Sequence, residues 1–511
     1  TGLTGSGELD MSKAVLTSNS FEYESRSFDA DTADFILRTL DRKEVAFSAN
    51  KLNAHIDLDY QRGRFNTIDN YTVSEFHKNL YLAYLNKFSW KIDENSLDIK
   101  SYPQPEKTFG TEDELERLRD FEDQGVLFLS THKAQDSLRF VSPEAKYTLA
   151  DHHLKANEVD SLFVADAKII PEEKTLSIRK TASMDTLRKA EVVANRNSRH
   201  HRFFDANIKV KGRYEYGGQG KYYYVDKNDK KQVIHFNPIQ VDTSVQTIAE
   251  GQIAHIDSFN LSPNFRYRGN TYLTANRKHL EFRGGVRLYH NCPTIRPRYT
   301  YFESVIDPDR IYIPIGEQLR DLNRRKVFVG SYVTLDSSHV YSTFLTPRKD
   351  PSDDLIISSK GFLKADENTN KYLVASKQKL NNPDTTGPLV SLHKNYCLQY
   401  GEGKMQLGVD FGEMTINPAG RFDHDLPKND VKLDLTLPVD FLMSPDAMDT
   451  LISDIRGRNN LRPINLESKR YRKNLNEIYG EKVASEYLQQ ARLLKNKAEI
   501  PEEMSSTFLF S

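Results

Sequence analysis

Histidine is the side chain best suited to hold a metal or move a proton near neutral pH, and this chain has 14 of them. They include the adjacent pairs His152-His153 and His200-His201, with His255 and His290 in strand-like stretches. Neighbouring residues on a strand face opposite ways, so an adjacent pair rarely chelates one ion. Solvated or edge histidines are the expectation, and no H-E-x-x-H stands against it. The tetrapeptide Ala-His-Ile-Asp occurs at 54–57 and again at 254–257. On a strand its His and Asp share a face, which would allow a hydrogen-bonded pair or a two-ligand site. A repeated structural position is the simpler reading.

Carboxylates recur in Asp307-Pro-Asp309 and Asp423-His-Asp425, but a glycosidase or lyase needs two of them converging in a cleft, which spacing alone does not establish. Gly2-Leu-Thr-Gly5-Ser-Gly7 and Gly217-Gly218-Gln-Gly220 lack the lysine, hydroxyl and strand-to-helix context of a phosphate-cradling loop, and read as turns. No Ser-His-Asp or Cys-His arrangement has a local signature such as G-x-S-x-G. No catalytic, cofactor-binding or metal-binding residue is therefore assigned. One basic and aromatic cluster could meet phosphate or sugar: Arg283, Arg287, Arg296 and Arg298 with Tyr289. A solvated outer face balanced by acids elsewhere is its simpler reading.

The element that would position this cluster runs from Ser262 to Asn291. Phe265-Arg-Tyr267-Arg-Gly269 and Leu280-Glu-Phe282-Arg-Gly284 share one spacing, and Val286 and Leu288 resume it. Strict apolar–charged alternation marks a half-buried strand. Phe265, Tyr267, Leu280, Phe282, Val286 and Leu288 are thus the candidate lining of an apolar core or groove. Units so small bury their apolar face by stacking on similar ones.

Similar pieces fill most of the chain, at intervals of about 8–12 residues over 126–212 and less regularly from 296 to 443. Residues 15–100 read as strands, with 71–92 open between helix and strand. Thr111-Glu-Asp-Glu114 is a capping-box pattern opening a charged helix over 112–123. Strands return over 126–212, Tyr214 to Val225 reads as a hairpin paired with Gln232 to Ile239, and Met405 to Gly412 reads as a later strand. Ser444-Pro445 is a helix-start pair, followed by helices ending near Ile455, Tyr479 and Lys495; Thr507-Phe-Leu-Phe resumes strand character. The expected fold is mainly β, an elongated array of stacked antiparallel strands (β-solenoid or β-jellyroll-like) with peripheral helical insertions. Its segments are 1–110, a helical insertion at 111–125, a central array at 126–300, 301–443, a helical insertion at 444–503, and the start of a further strand at 504–511. No alternation of strands with long helices supports a doubly wound sheet.

Lys and Arg total 71 against 72 Asp and Glu, so no global charge draws nucleic acid or an anionic membrane. No apolar run reaches the roughly 20 residues of a membrane-spanning helix. Cys292 and Cys397 are the two cysteines; two free thiols are the expected state, a single bridge the alternative. The chain begins without methionine and ends in an apolar run, as a processed or excised piece of a longer protein would.

Ala-x-Lys-Leu-x-Ala-x-Ile-Asp at 49–57, Phe-x-Tyr-x-Gly-Asn at 265–270, and the run from Leu273 through Phe282 to Leu288 resemble the strand repeats of OstA/LptA-type domains. The resemblance covers 45–65, 126–212 and 262–291. It implies a β-jellyroll with an interior groove for acyl chains, a place in the periplasm or outer-membrane-associated envelope, protein partners in a lipopolysaccharide-transport-like assembly, and no cofactor. Two functions follow as expectations: a non-catalytic envelope scaffold or lipid-groove module, and a surface glycan-binding or glycan-cleaving β-solenoid. An open groove would favour lipid; a filled core would favour scaffold.

Overall fold

The computed structural model describes residues 3–69, 71–100, 125–336, 339–407, 412, 414–441, 444–456, 465–493 and 507–510. Strands account for 55% and helices for 9%, and the antiparallel sheets curl into half-barrels. The mainly β class with minor helical parts is as the alternation implies. The chain divides into two compact units, Thr1–Tyr224 with Lys231–Gln252 and Tyr272–Leu280, and Val225–Lys230 with Ile253–Thr271 and Glu281–Ser511.

The first unit holds a 14-stranded sheet that begins at Leu3–Asp10 and ends at Leu176–Ile178. The sheet runs on past residues 101–124, because Val126–Ser130 pairs with Tyr81–Leu85 and Glu144–Thr148 with Ser96–Lys100. Alternation drives one face inward, and aromatic rings fill it. Phe65 lies directly opposite Phe88 across two strands, and their rings stack at 4.5 Å with an interplanar angle of 8°. Phe35 packs on Phe65 at 4.5 Å and on Trp90 at 5.7 Å, and Phe47 on Phe76 at 4.9 Å. All six rings are buried.

The open stretch at 71–92 resolves into strands Thr72–Phe76, Tyr81–Leu85 and Lys87–Lys91. Tyr81, Ala83 and Leu85 point inward in turn, so period 2 prevails over the helical reading of Phe76, Leu80 and Tyr84. The helix expected over 112–123 lies outside the described residues.

The hairpin expected from Tyr214 to Val225 is instead one strand, Glu215–Val225, with His201–Gly212 and Lys231–Val241 on either side. The glycines at its centre make no turn; a Cβ on Gly218 would lie 2.0 Å from the Asn207 carbonyl oxygen, so glycine there permits close approach of two backbones. Gly5 and Gly7 likewise lie in a strand, Leu3–Asp10, rather than in a turn.

In the second unit a nine-stranded sheet is ordered Ile313–Ile315, Gly361–Asp366, Lys371–Ala375, Leu389–His393, Leu398–Lys404, Ala419–Asp425, Asp430–Phe441 and Met414–Ile416, with Thr507–Phe510 also paired to Asp430–Phe441. Phe328–Val333 forms a separate three-stranded sheet with Val340–Thr346 and Asp354–Ser358. The strand expected from Met405 to Gly412 is absent at 405–407, and 408–411 lie outside the described residues.

Four helices occur among the described residues: α1 (Lys377–Asn381), α2 (Pro445–Arg456), α3 (Lys469–Tyr479) and α4 (Glu481–Leu493). Ser444 Oγ accepts the Ala447 N–H at 3.4 Å, the cap that Ser-Pro implied. Ser468 caps α3, and Gly480, at φ 84°, ends it. α1, capped by Ser376, was not foreseen. Helix α3 docks on the sheet through Asn474, which donates to Thr436 at 3.0 Å, and through Lys473, which joins Lys379 on the Glu402 carboxylate at 2.5 and 2.8 Å.

Trp90 is the chain's one tryptophan, so its emission reports on the first unit. Phe88→Ala is expected to destabilise that unit by about 3–5 kcal/mol, the range for emptying a packed aromatic site. The check is denaturant titration: the red shift of Trp90 should move to clearly lower denaturant, and an unmoved midpoint would contradict the packing described.

Candidate functional site

The focal stretch forms two neighbouring strands of one sheet, Phe265–Thr274 and Glu281–Leu288. The two similar units therefore meet edge to edge as a hairpin, where stacking was expected. Gly269 and Gly284 face each other: a Cβ built on either would come within 2.7 Å of the other's Cα. Gly269 also has φ +143°, outside the range comfortable for other residues. The shared glycine of the two units thus marks a close backbone approach.

Phe265, Tyr267, Leu280, Phe282, Val286 and Leu288 are all buried, none more than 4% exposed. Rings occupy the space between them. Tyr267 meets Phe282 edge-on at 5.0 Å and Phe302 at 5.8 Å, while Phe259 lies 6.3 Å from Phe282 and Phe265 lies 5.8 Å from Tyr372. Bulky rings in T-shaped contact are how a closed core packs. The six positions line a filled interior.

The basic cluster is spread, and two of its four arginines are compensated. Arg283 binds Glu281 and Glu303, at 2.6 and 3.1 Å. Arg298 binds Asp321, itself buried, at 3.3 Å. Tyr289 is exposed, and its hydroxyl donates to Asn260 at 2.9 Å. Arg287 is half-buried and Arg296 exposed, and neither has an ion pair among the described residues. The exposed pairs of Arg283 contribute little energy, but pairing offsets the charge of Arg283 and Arg298.

The cysteines correct an expectation: Cys292 and Cys397 are bridged, with Cα atoms 5.3 Å apart. The sequence offered no guide because 105 residues separate them. Around the bridge lies a polar network that alternation does not predict. Lys394, only 8% exposed, accepts the Asn291 N–H at its carbonyl at 3.0 Å. Its ammonium donates to Asn264 Oδ1 and lies 4.9 Å from the Tyr372 ring centre. Asn264 Nδ2 then donates to Glu367 at 2.8 Å, and Glu367 pairs with Lys227. Burial pushes the Lys394 ammonium below its ordinary range, and hydrogen bonding from Lys227 holds the Glu367 carboxyl low. Tyr372 closes the network: its hydroxyl lies 2.8 Å from the Asn264 carbonyl oxygen and accepts the Tyr289 N–H at 3.1 Å. Reducing the bridge, or replacing both cysteines by serine, is expected to lower the stability of the second unit by up to about 4–5 kcal/mol, the chain-entropy scale for a loop of this size. Thermal melts with and without a reductant, alongside the double variant, test this; identical melts would refute it.

The histidines do not gather. No group of three or more His, Cys, Asp or Glu that could hold a metal occurs among the described residues. The two copies of Ala-His-Ile-Asp also differ, correcting the idea of a repeated position. In the first, a strand, His55 binds Asp29 of the neighbouring strand at 2.7 Å while Asp57 caps the following turn. In the second, His255–Asp257 is a short 3-10 turn with Ile256 87% exposed. His290 lies just past its strand, which ends at Leu288. The paired carboxylates are engaged as well: Asp307 turns its own loop, and Arg421 and Lys428 hold Asp423 and Asp425.

Two serine–histidine contacts escaped the sequence because they cross strands. Ser48 Oγ lies 2.9 Å from His77 Nε2, with Glu75 3.4 Å from Nδ1. Ser342 Oγ lies 2.8 Å from His424 Nδ1, with Asn429 at 3.0 Å from Nε2. Nucleophilic catalysis also needs N–H donors aimed at a developing oxyanion. Ser48 is paired on both sides, to Ile36 and to Glu75, and His424 is 2% exposed. The strands on both sides of Ser48, and the burial of His424, are what the structure sets around these two contacts.

Burial lowers the affinity of His201 for a proton; its Nε2 lies 2.6 Å from the Arg277 carbonyl and its Nδ1 3.2 Å from the Tyr222 hydroxyl. The unfolded chain protonates near pH 6.5 and the native state at a lower pH. This contribution is whole above about pH 6.5 and is lost as pH falls toward the native value. His201→Gln is expected to flatten the decline in first-unit stability as pH falls below about 6.5; an unchanged slope of Trp90-monitored stability against pH would refute it.

No protein-family model matches this chain, and no curated protein matches it. No helix among the described residues is long and apolar enough to cross a membrane.

Proposed function

We propose that this chain is a non-catalytic scaffold of a cell-envelope assembly, working in an oxidising compartment. The filled interior of the 265–288 hairpin carries the choice between the two envelope roles. An acyl-chain carrier needs an open apolar groove, and here all six positions where such a groove would run are buried, with aromatic rings packed against Phe265, Tyr267 and Phe282. A surface for partners then becomes the better use of the fold. The Cys292–Cys397 bridge supports the compartment, since such bonds persist in secreted, periplasmic and surface proteins. The OstA/LptA-like spacing of the repeats agrees with an envelope setting.

The strand Leu3–Asp10 supports a partner. It is exposed along nearly its whole length and, among the described residues, is paired on one side only, to Ala14–Tyr23. A free edge of this kind is what strand addition by another chain uses. Purification of the native complex, with lipid extraction and mass spectrometry, tests the reading. Partner proteins at fixed stoichiometry without acyl lipid are expected; stoichiometric acyl lipid, or a monomer that cross-links to nothing, would overturn it.

A further inference from the structure

We propose that a cleft of about 360 Å³ in the second unit binds phosphate-bearing small molecules. Five separate stretches of chain build its wall, and they bring Lys227, Arg310 and Lys364 to it against one carboxylate, Asp309. Glu367 neutralises Lys227, whereas Arg310 and Lys364 have no ion pair among the described residues. In the arginine cluster at 283–298, acids sit on Arg283 and Arg298. The cleft keeps a positive excess in a concave, partly desolvated place, which is where charge recognises a ligand most strongly.

The backbone turns that carry Lys227 and Arg310 are fixed before any ligand arrives. Buried Asp226 accepts the N–H groups of Asn228 and Lys230 at 2.9 and 3.1 Å, fixing the turn that carries Lys227. Asp307 accepts the N–H of Asp309 at 3.1 Å, and its carbonyl takes the N–H of Arg310 at 3.1 Å. The Tyr312 hydroxyl donates to Asn381 at 2.8 Å, tying the wall to α1. Preorganised donors lose less entropy on binding.

The same ring argues for charge over stacking as the basis of recognition. The ammonium groups of Lys364 and Lys377 lie 6.0 and 5.3 Å from the Tyr312 ring centre, so cations already attend the ring that a neutral sugar would need. A phosphoryl group presents oxygens in several directions at once and suits donors arriving from different segments, with the Arg310 guanidinium able to bind two of them. This proposal does not rest on the scaffold reading.

The test is calorimetric titration of the whole chain with inorganic pyrophosphate at low ionic strength, and in parallel cosedimentation with vesicles containing phosphatidylglycerol. Saturable pyrophosphate binding is expected, weakened at least fivefold by Arg310→Ala and by Lys364→Ala and unchanged by Lys432→Ala, which removes an exposed lysine outside the cleft. Vesicle binding that depends on the same two residues, without pyrophosphate binding, would place the phosphate on a lipid headgroup and support the site. In the unmodified chain, pyrophosphate should also slow acylation of Lys364 by an amine-reactive reagent, so a variant that fails to fold leaves the test standing. No binding in either arm, binding indifferent to both variants, or pyrophosphate binding that leaves Lys364 unprotected would overturn the proposal.

Discussion

The structure depends on sealing large aromatic rings against one face of each curled sheet. A strand offers its neighbours alternate residues, so it can bury one row of side chains and must leave the other to water. With 27 Phe and 26 Tyr, that buried row is bulky. Phe65 on Phe88 and Tyr267 on Phe282 exemplify the result: rings placed opposite or next to one another close the interior against water. Each such side chain contributes on the order of 2–3 kcal/mol of apolar burial, far more than any ion pair on the outer row. Around these pairs the interior is occupied by side chains.

Charge is arranged to match. On the outer faces acids and bases lie opposite each other, as Lys100 with Glu144 and Lys221 with Asp205 do. These pairs are exposed and weak, and their main effect is a mixed, soluble surface. In the second unit the pattern changes, because Lys394 is buried and Lys379 almost wholly so. A buried ammonium needs hydrogen-bond acceptors and counter-charge. Asn264 and Glu367 supply them for the first, and Glu402 for the second. The Asn264 network also fixes which way its amide points, since one end must accept and the other donate.

Period-2 alternation was legible from the residues alone, and with it the β class, the inward placing of Phe265 through Leu288, and the helices after Ser444. These depend on neighbours a few positions away. Pairings across the chain were not legible. The Cys292–Cys397 bridge, the Asp321 partner of Arg298 and the His77 contact of Ser48 join residues that are distant in sequence, and nothing in their local spacing marks them. Ala-His-Ile-Asp shows the converse failure. Four identical residues form a strand in one place and a turn in the other, because flanking pairing and burial outweigh so short a string. Glycine misled for a related reason: in the Glu215–Val225 strand its value is the space it leaves for an adjacent backbone, and that neighbour is invisible until the sheet is assembled.

The sulfur bridge makes the chain from Cys292 to Cys397 a covalent ring, and the whole three-stranded sheet at 328–358 lies inside it. Tension pulled along the backbone would pass through the two sulfurs and leave everything within the ring unloaded. A chain pulled from its two ends would therefore yield outside this region first, keeping the enclosed strands folded while the flanking segments extend.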